Sequence, residues 1–243
     1  MVDYLYDGSF EGFLTCIYYH YYEEKAAGIF TFDNYQPSIL NTFVEIKTQG
    51  DKAAKVYDAI GQKISPYDLQ RIYRVFLSTV INREMLLLNY IRLGFKQGSK
   101  IRLLHGNPYV SPVEKAEKKV TAEVHRILGL LRFSVLEGEV LYAVLEPDHD
   151  ILEFLADHFT DRYKNEPFII HDKRRGKALV AQGGEWYITD FTEKNLPHIS
   201  QNEKEYRALW KKYFETIAIK ERTNPKCQKN FMPVRYWKHL TEI

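Results

Sequence analysis

The chain has 243 residues, 45% hydrophobic and 27% charged, with a formal net charge of +2. That length can bury a substantial core, and the composition excludes a disordered chain. Cys16 and Cys227 are too few for a disulfide scaffold or a four-thiolate metal site, and no segment approaches the roughly 20 apolar residues that span a bilayer.

The charge is unevenly spread. From Gln201 onward ten Lys or Arg stand against five Glu, or +5, so the first 200 residues carry −3. A basic tail on a mildly acidic body points to an anionic partner. The opening MVDYLYDGSFEGF carries acids where a secretory signal would be basic. A cytoplasmic protein with no membrane partner is the expectation. The 18 Tyr and 14 Phe should fill half-buried positions or contact surfaces.

In chain order, Tyr4-Leu5-Tyr6 reads as a short strand, and Ser9 as the cap of a helix with Phe13, Leu14, Ile17 and Tyr21 on one stripe. Residues 29–44 read as mixed extended chain and loop, and residues 53–60 as a short helix. Ser65-Pro66-Tyr67-Asp68 is a strong helix start, and Leu69, Ile72, Tyr73, Phe76 and Val80 follow at helical spacing. Residues 83–95 make another helix, and the glycine-bearing residues 96–110 read as a linker. Ser111-Pro112-Val113-Glu114 opens a helix that buries Val113, Ala116, Val120, Val124 and Ile127.

The period then changes from helical to alternating. Leu131 to Val135 and Val140 to Val144 form two strands around Glu137-Gly138. A helix follows with Leu152, Leu155, Ala156, Phe159 and Tyr163 on its stripe, then strands over residues 168–170, 177–181 and 186–188. The expected class is α+β: a mainly helical region over residues 1–98, then an α+β region over 110–243. The second region should hold an antiparallel sheet of about five strands packed by helices, ending in a helical, basic tail.

Four groups of residues could carry chemistry. The helix over residues 203–217 places Tyr206, Leu209, Trp210, Tyr213 and Ile217 on one arc and Lys211 among the cations elsewhere, with Lys226 and Lys229 beyond it. Basic side chains neutralise phosphates and exposed rings stack on bases; the same arc could equally be a core-facing seam. Phe231-Met232-Pro233 with Tyr236 and Trp237 could be a plug packed on the body. The turn His171-Asp172-Lys173-Arg174-Arg175-Gly176 could grip a phosphate, or be an ordinary charged hairpin. His158 and Arg162, four apart, could join Asp172 in a site or act as an internal polar clamp. His125, His149, His158 and His171 lack metal-ligand spacing, and neither Gly8 to Gly12 nor Gly183-Gly184 matches a nucleotide loop. Neither a metal nor a cofactor is expected, and Cys16 reads as a buried inert thiol.

Several short segments carry a resemblance in their order and spacing. They are Tyr6-Asp7-Gly8-Ser9-Phe10-Glu11-Gly12, Gly129-Leu130-Leu131-Arg132-Phe133, Glu146-Pro147-Asp148-His149-Asp150 and His158-Phe159-x-x-Arg162. To these are added Ile170-His171-Asp172, Arg174-Arg175 and Asn224-Pro225-x-x-Gln228-x-x-x-Met232-Pro233-x-x-Tyr236-Trp237. From Tyr4 to Trp237 the chain resembles a bacterial family of DNA metabolism or repair proteins built around the domain of unknown function numbered 4130. The resemblance implies a radical S-adenosylmethionine protein as partner, and no catalytic residue is carried over with it. The chain lacks the cysteine signature of that partner, so the radical chemistry is not expected here.

Three functions follow as expectations. The first is an accessory protein that binds DNA through Arg132, Arg162, Arg174, Arg175, Lys211, Lys226 and Lys229. The second is a protein-interaction subunit whose aromatic tail binds the radical enzyme without touching DNA. The third is a metal-free hydrolase or glycosylase using Asp172 or Glu146 with His158 or His171.

Overall fold

The computed structural model describes residues 2–37, 41–193 and 196–240. The chain divides into two compact units, Met1–Thr121 and Ala122–Ile243.

In the first unit, β1 (Val2–Tyr6) is followed by α1 (Phe10–Tyr22), β2 (Ala26–Thr31) and β3 (Thr42–Glu45). The three strands form a parallel sheet in the order β2-β1-β3. This sheet contains the strand read at Tyr4-Leu5-Tyr6 within a region read as mainly helical. The central strand β1 is buried at all five positions and therefore shows no alternation. Of its partners β3 has only four residues, and residues 38–40 of the stretch read as mixed extended chain and loop lie outside the described residues. Ser9 caps α1 as expected, its hydroxyl accepting from the Gly12 amide at 2.9 Å. The helices α2 (Gly50–Lys63), α3 (Pro66–Phe76) and α4 (Arg83–Gln97) complete the layer, with Ser65 capping α3 by accepting from the Asp68 amide at 3.1 Å. The segment read as a linker instead contains a 3-10 helix (Gly98–Leu103), and Ile101 and Val110 are fully buried.

Helix α5 (Ser111–Leu130) contains the boundary between the units. Beyond it come β4 (Phe133–Val135), β5 (Leu141–Leu145), α6 (Leu152–Arg162), β6 (Phe168–Asp172), β7 (Lys177–Gln182) and β8 (Glu185–Asp190). All five expected strands are present, in the order β4-β5-β6-β7-β8. The sheet is mixed rather than purely antiparallel: β5 and β6 run parallel, and the other neighbours antiparallel. The cause is α6, which carries the chain back so that β6 starts from the same end as β5.

Alternation along the strands gives the sheet two faces with different tasks. Ala143 and Leu145 of β5 and Phe168 and Ile170 of β6 are buried with Leu152, Leu155, Ala156 and Phe159 of α6. The Phe133 ring meets Phe159 at 5.4 Å and Phe168 at 5.8 Å, closing this core at the sheet edge. Ser134, Tyr142, Val144 and His171 point the other way. The chain ends in α7 (Gln201–Ile217), a 3-10 turn (Lys220–Arg222), α8 (Pro225–Phe231) and a last 3-10 helix (Val234–His239). No helix among the described residues is long and apolar enough to cross a membrane.

Candidate anion-binding pocket

The face of β4 and β5 turned away from α6 forms the floor of a cavity of about 620 Å³. Ser134, Tyr142 and Val144 line it, with Arg132 just before β4. One wall is the segment after β8, where Glu193, Leu196, Pro197 and Ile199 line the cavity. Backbone bonds pin this segment beside β4: the Glu137 amide donates to the His198 carbonyl at 2.9 Å, and the Ser200 amide to Val135 at 3.0 Å. Ser200 then caps α7, its hydroxyl accepting from the Glu203 amide at 3.2 Å. The helix thereby brings Arg207 and Lys211, four residues apart, to the cavity.

The second wall is the end of the chain. Tyr236 is buried, and its hydroxyl donates to Glu123 Oε1 at 2.6 Å. Glu123, itself 1% exposed, also accepts from the backbone amides of Asp148 at 3.0 Å and His149 at 2.8 Å. Arg235 reaches Asp148 at 2.7 Å, and Lys238 reaches Glu146 at 2.7 Å. The segment Glu146-Pro147-Asp148-His149 is thus the dock for the last 3-10 helix. Of the aromatic terminus Tyr236 is the buried plug, whereas Phe231 is 78% exposed, and the docking delivers Lys238, His239 and Leu240 to the cavity.

Among the described residues five cations line the cavity: Arg132, Lys173, Arg207, Lys211 and Lys238. Carboxylates hold Lys173, Lys238 and Arg207. Lys173 meets Glu193 at 2.8 Å, Lys238 meets Glu146 at 2.7 Å, and Arg207 meets Glu203 at 2.9 Å while also donating to the Ser134 hydroxyl. Arg132 donates to the carbonyls of Gly129 at 3.1 Å and Leu131 at 3.3 Å, which orients its guanidinium. Positive charge exceeds negative, and Leu136, Val144, Leu196, Pro197, Ile199 and Leu240 give the same cavity an apolar lining.

A chain of polar groups crosses the floor. The Tyr142 hydroxyl donates to Glu193 Oε1 at 3.0 Å and lies 2.8 Å from His171 Nδ1. A hydroxyl has one proton, so with that proton directed at Glu193 the hydrogen between Tyr142 and His171 belongs to Nδ1. Burial, reinforced by the Glu193 charge, raises the Tyr142 pKa well above its ordinary value, and the hydroxyl stays a donor. Burial also lowers the His171 pKa and favours the neutral ring. The hydrogen bond from Lys173 holds the Glu193 carboxyl below its usual range, so it is ionised at neutral pH. Burial lowers the His239 pKa as well. Its Nε2 is buried 3.3 Å from Glu146 Oε1, and among the described residues it makes no hydrogen bond of good geometry.

The structure brings together only some of the residues singled out in the sequence. Arg132 and Lys211 line the cavity, and His171 stands behind Tyr142. Asp172 is 0% exposed, and both its oxygens are engaged within its own turn. Oδ1 accepts from the amides of Arg174 at 3.0 Å and Arg175 at 3.3 Å, and Oδ2 from the Arg175 guanidinium at 2.8 Å. Arg175 further donates to the carbonyls of Pro147 at 3.3 Å and Asp148 at 2.7 Å, and Arg174 meets Asp148 at 3.2 Å. The cationic turn is therefore a clamp between β6 and the segment 146–149.

His158 and Arg162 are exposed on α6, across the sheet from Tyr142, and Arg162 lies over the Tyr163 ring at 5.6 Å. They do not meet Asp172, which is bound by Arg175. Lys226 and Lys229 are exposed on α8. Tyr142, Glu193, Arg207, Lys238 and His239 were not singled out as site residues, and Lys173 was singled out only as a member of the cationic turn. The one signal in the sequence is Tyr142, a polar-tipped ring in an otherwise apolar strand. Among the described residues no group of three His, Cys, Asp or Glu side chains could hold a metal ion.

A family model described as DUF4130, a domain of unknown function, matches residues 81–242. Comparison with curated proteins gives no match.

Proposed function

The chain belongs to the family of this domain of unknown function, and from the cation-lined pocket we propose that it is a nucleic-acid-binding accessory protein of DNA metabolism or repair. The observation that carries this reading is the convergence of Arg132, Lys173, Arg207, Lys211 and Lys238 on one cavity with an apolar lining. Cations neutralise phosphates, and apolar surface accepts the faces of bases. The excess of positive charge from Gln201 onward extends the attraction beyond the cavity. Lys226 and Lys229 on the exposed α8 belong to this outer field.

This reading moves the contact away from the turn at Arg174 and Arg175, whose guanidinium groups are bound by Asp148 and Asp172. A salt titration of binding to a fluorescent DNA strand tests it. Binding that weakens steeply as salt rises supports direct contact with phosphates. No detectable binding at low salt removes the reading.

A second reading rests on α7. The helix buries none of its residues, and Tyr206, Leu209, Trp210, Tyr213, Phe214 and Ile217 are all exposed. Such a run of large apolar side chains on one helix suits a protein partner, and the radical S-adenosylmethionine protein implied by the family resemblance is the occupant we propose. Capture of that protein by the wild type, and its loss on replacing Trp210 and Tyr213 with Ser, tests this contact separately from DNA binding.

A further inference from the structure

We propose that the pocket takes a single unpaired nucleotide of a strand, its phosphate on the cations and its base against the apolar lining. The inference rests on the nucleic-acid reading above and narrows it from polyanions in general to one nucleotide outside a duplex. Three features carry it.

The first is size. A cavity of about 620 Å³ lies in the range of small-molecule sites, ~300–1,000 Å³, and a base-paired duplex does not enter one. Surface cations alone would serve a duplex; a concave site with its own floor serves a splayed-out unit.

The second is the division of chemistry. Arg207 and Lys211 stand one helical turn apart on the α7 wall, and among the described residues Lys211 has no ion pair. They offer a phosphate two donors of the kind that charge-assisted contacts require. Leu136, Val144, Ile199 and Leu240 offer the base apolar contacts, with the Tyr142 and His239 rings at their border.

The third is the presence of directional groups where a base edge would arrive. Glu193 is an acceptor held ionised by Lys173, and a carboxylate accepts from an exocyclic amino group. The Tyr142 hydroxyl beside it is a second directional group on the cavity floor. A surface serving only the phosphate backbone needs neither group.

The test uses the full chain and three fluorescent probes of one sequence: a single strand, a blunt duplex, and a duplex with one unpaired nucleotide. Deoxynucleoside 5′-monophosphates, the corresponding nucleosides and inorganic phosphate serve as competitors. The expected result is tighter binding of the single strand and the unpaired-nucleotide duplex than of the blunt duplex, with competition strongest from the monophosphates. Lys211→Glu, an exposed substitution whose fold is checked by its melting curve, should remove that preference, lowering single-strand affinity by about tenfold or more. Equal binding of all three probes, or inorganic phosphate competing as well as a nucleotide, overturns the inference and leaves the broader reading standing. Absence of binding to every probe overturns both.

Discussion

Tyr236 and Glu123 stand 113 residues apart in sequence and are joined by a hydrogen bond of 2.6 Å that fastens the end of the chain to α5. Burial, reinforced by the Glu123 charge, pushes the tyrosine pKa up to about 12, so it donates throughout the ordinary pH range. A hydrogen bond to a charged acceptor is worth about 1.5–3 kcal/mol, and the loss leaves Glu123 short of a donor. Tyr236→Phe should lower unfolding stability by about that amount, measured by urea denaturation. Hydrogen exchange should show the last 3-10 helix opening first. A variant as stable and as protected as the wild type would mean that the plug does not depend on this bond.

The turn after β6 should divide its two arginines sharply. Arg175 is bound to the buried Asp172, and breaking such a pair by removing one partner costs about 3–5 kcal/mol. Arg174 is 54% exposed, and its pair with Asp148 is worth at most about 1 kcal/mol. Urea unfolding of Arg175→Ala and Arg174→Ala should therefore differ severalfold in loss of stability. Equal losses would contradict the clamp.

Most of the second unit is legible in the sequence, and its site is not, for physical reasons that particular residues make plain. The strands show because short alternating runs end at Gly138, Gly176 and Gly183, which take φ of +91, +63 and +62. Strand direction does not show: nothing in residues 146–167 fixes which end of the sheet the chain returns to until α6 is packed. The pocket is harder still, because Arg132, Tyr142, Glu193, Arg207 and Lys238 have no common spacing and meet only through sheet register and the docked terminus. Local rules do constrain one reading. His171 and Asp172 are neighbours on a strand and so face opposite sides. One stands behind the pocket and the other is buried in its turn. In the first unit β1 is legible from three residues, while β3 has only four residues, all exposed, and β2 shows no regular alternation to declare a sheet.

Acid should loosen the docked terminus in a defined window. The hydrogen bond from Lys238 holds the Glu146 carboxyl below its ordinary value of 4.5. A carboxyl depressed by folding contributes stability above its unfolded pKa and loses it as pH falls through the folded one. The melting-temperature gap between wild type and Lys238→Met should therefore be full at neutral pH and close progressively below 4.5, the ordinary carboxyl value. His239 acts in the same direction at higher pH. Its pKa is lowered by burial from an ordinary 6.5, so protonation below that value favours the unfolded chain. A gap independent of pH would deny the pair its role.

The hydrogen-bond chain on the pocket floor fixes a tautomer that magnetic resonance reads directly. With the Tyr142 hydroxyl donating to Glu193, the neutral His171 ring carries its hydrogen on Nδ1. Imidazole nitrogen shifts at neutral pH should report that form, and Tyr142→Phe should release it towards a mixture of tautomers. An Nε2-protonated ring in the wild type would reverse the direction of the chain.

The proposed DNA binding rests above all on phosphate contacts made by the cations of the pocket. Its most direct measurement is the slope of log affinity against log salt for a single strand, in the wild type and in Arg132→Ala/Lys211→Ala. Each phosphate contact to a single strand contributes a slope of about −0.7, so the double variant should be shallower by roughly 1.4 and weaker at low salt. An unchanged slope with unchanged affinity would place DNA elsewhere on the protein and contradict the pocket as its site.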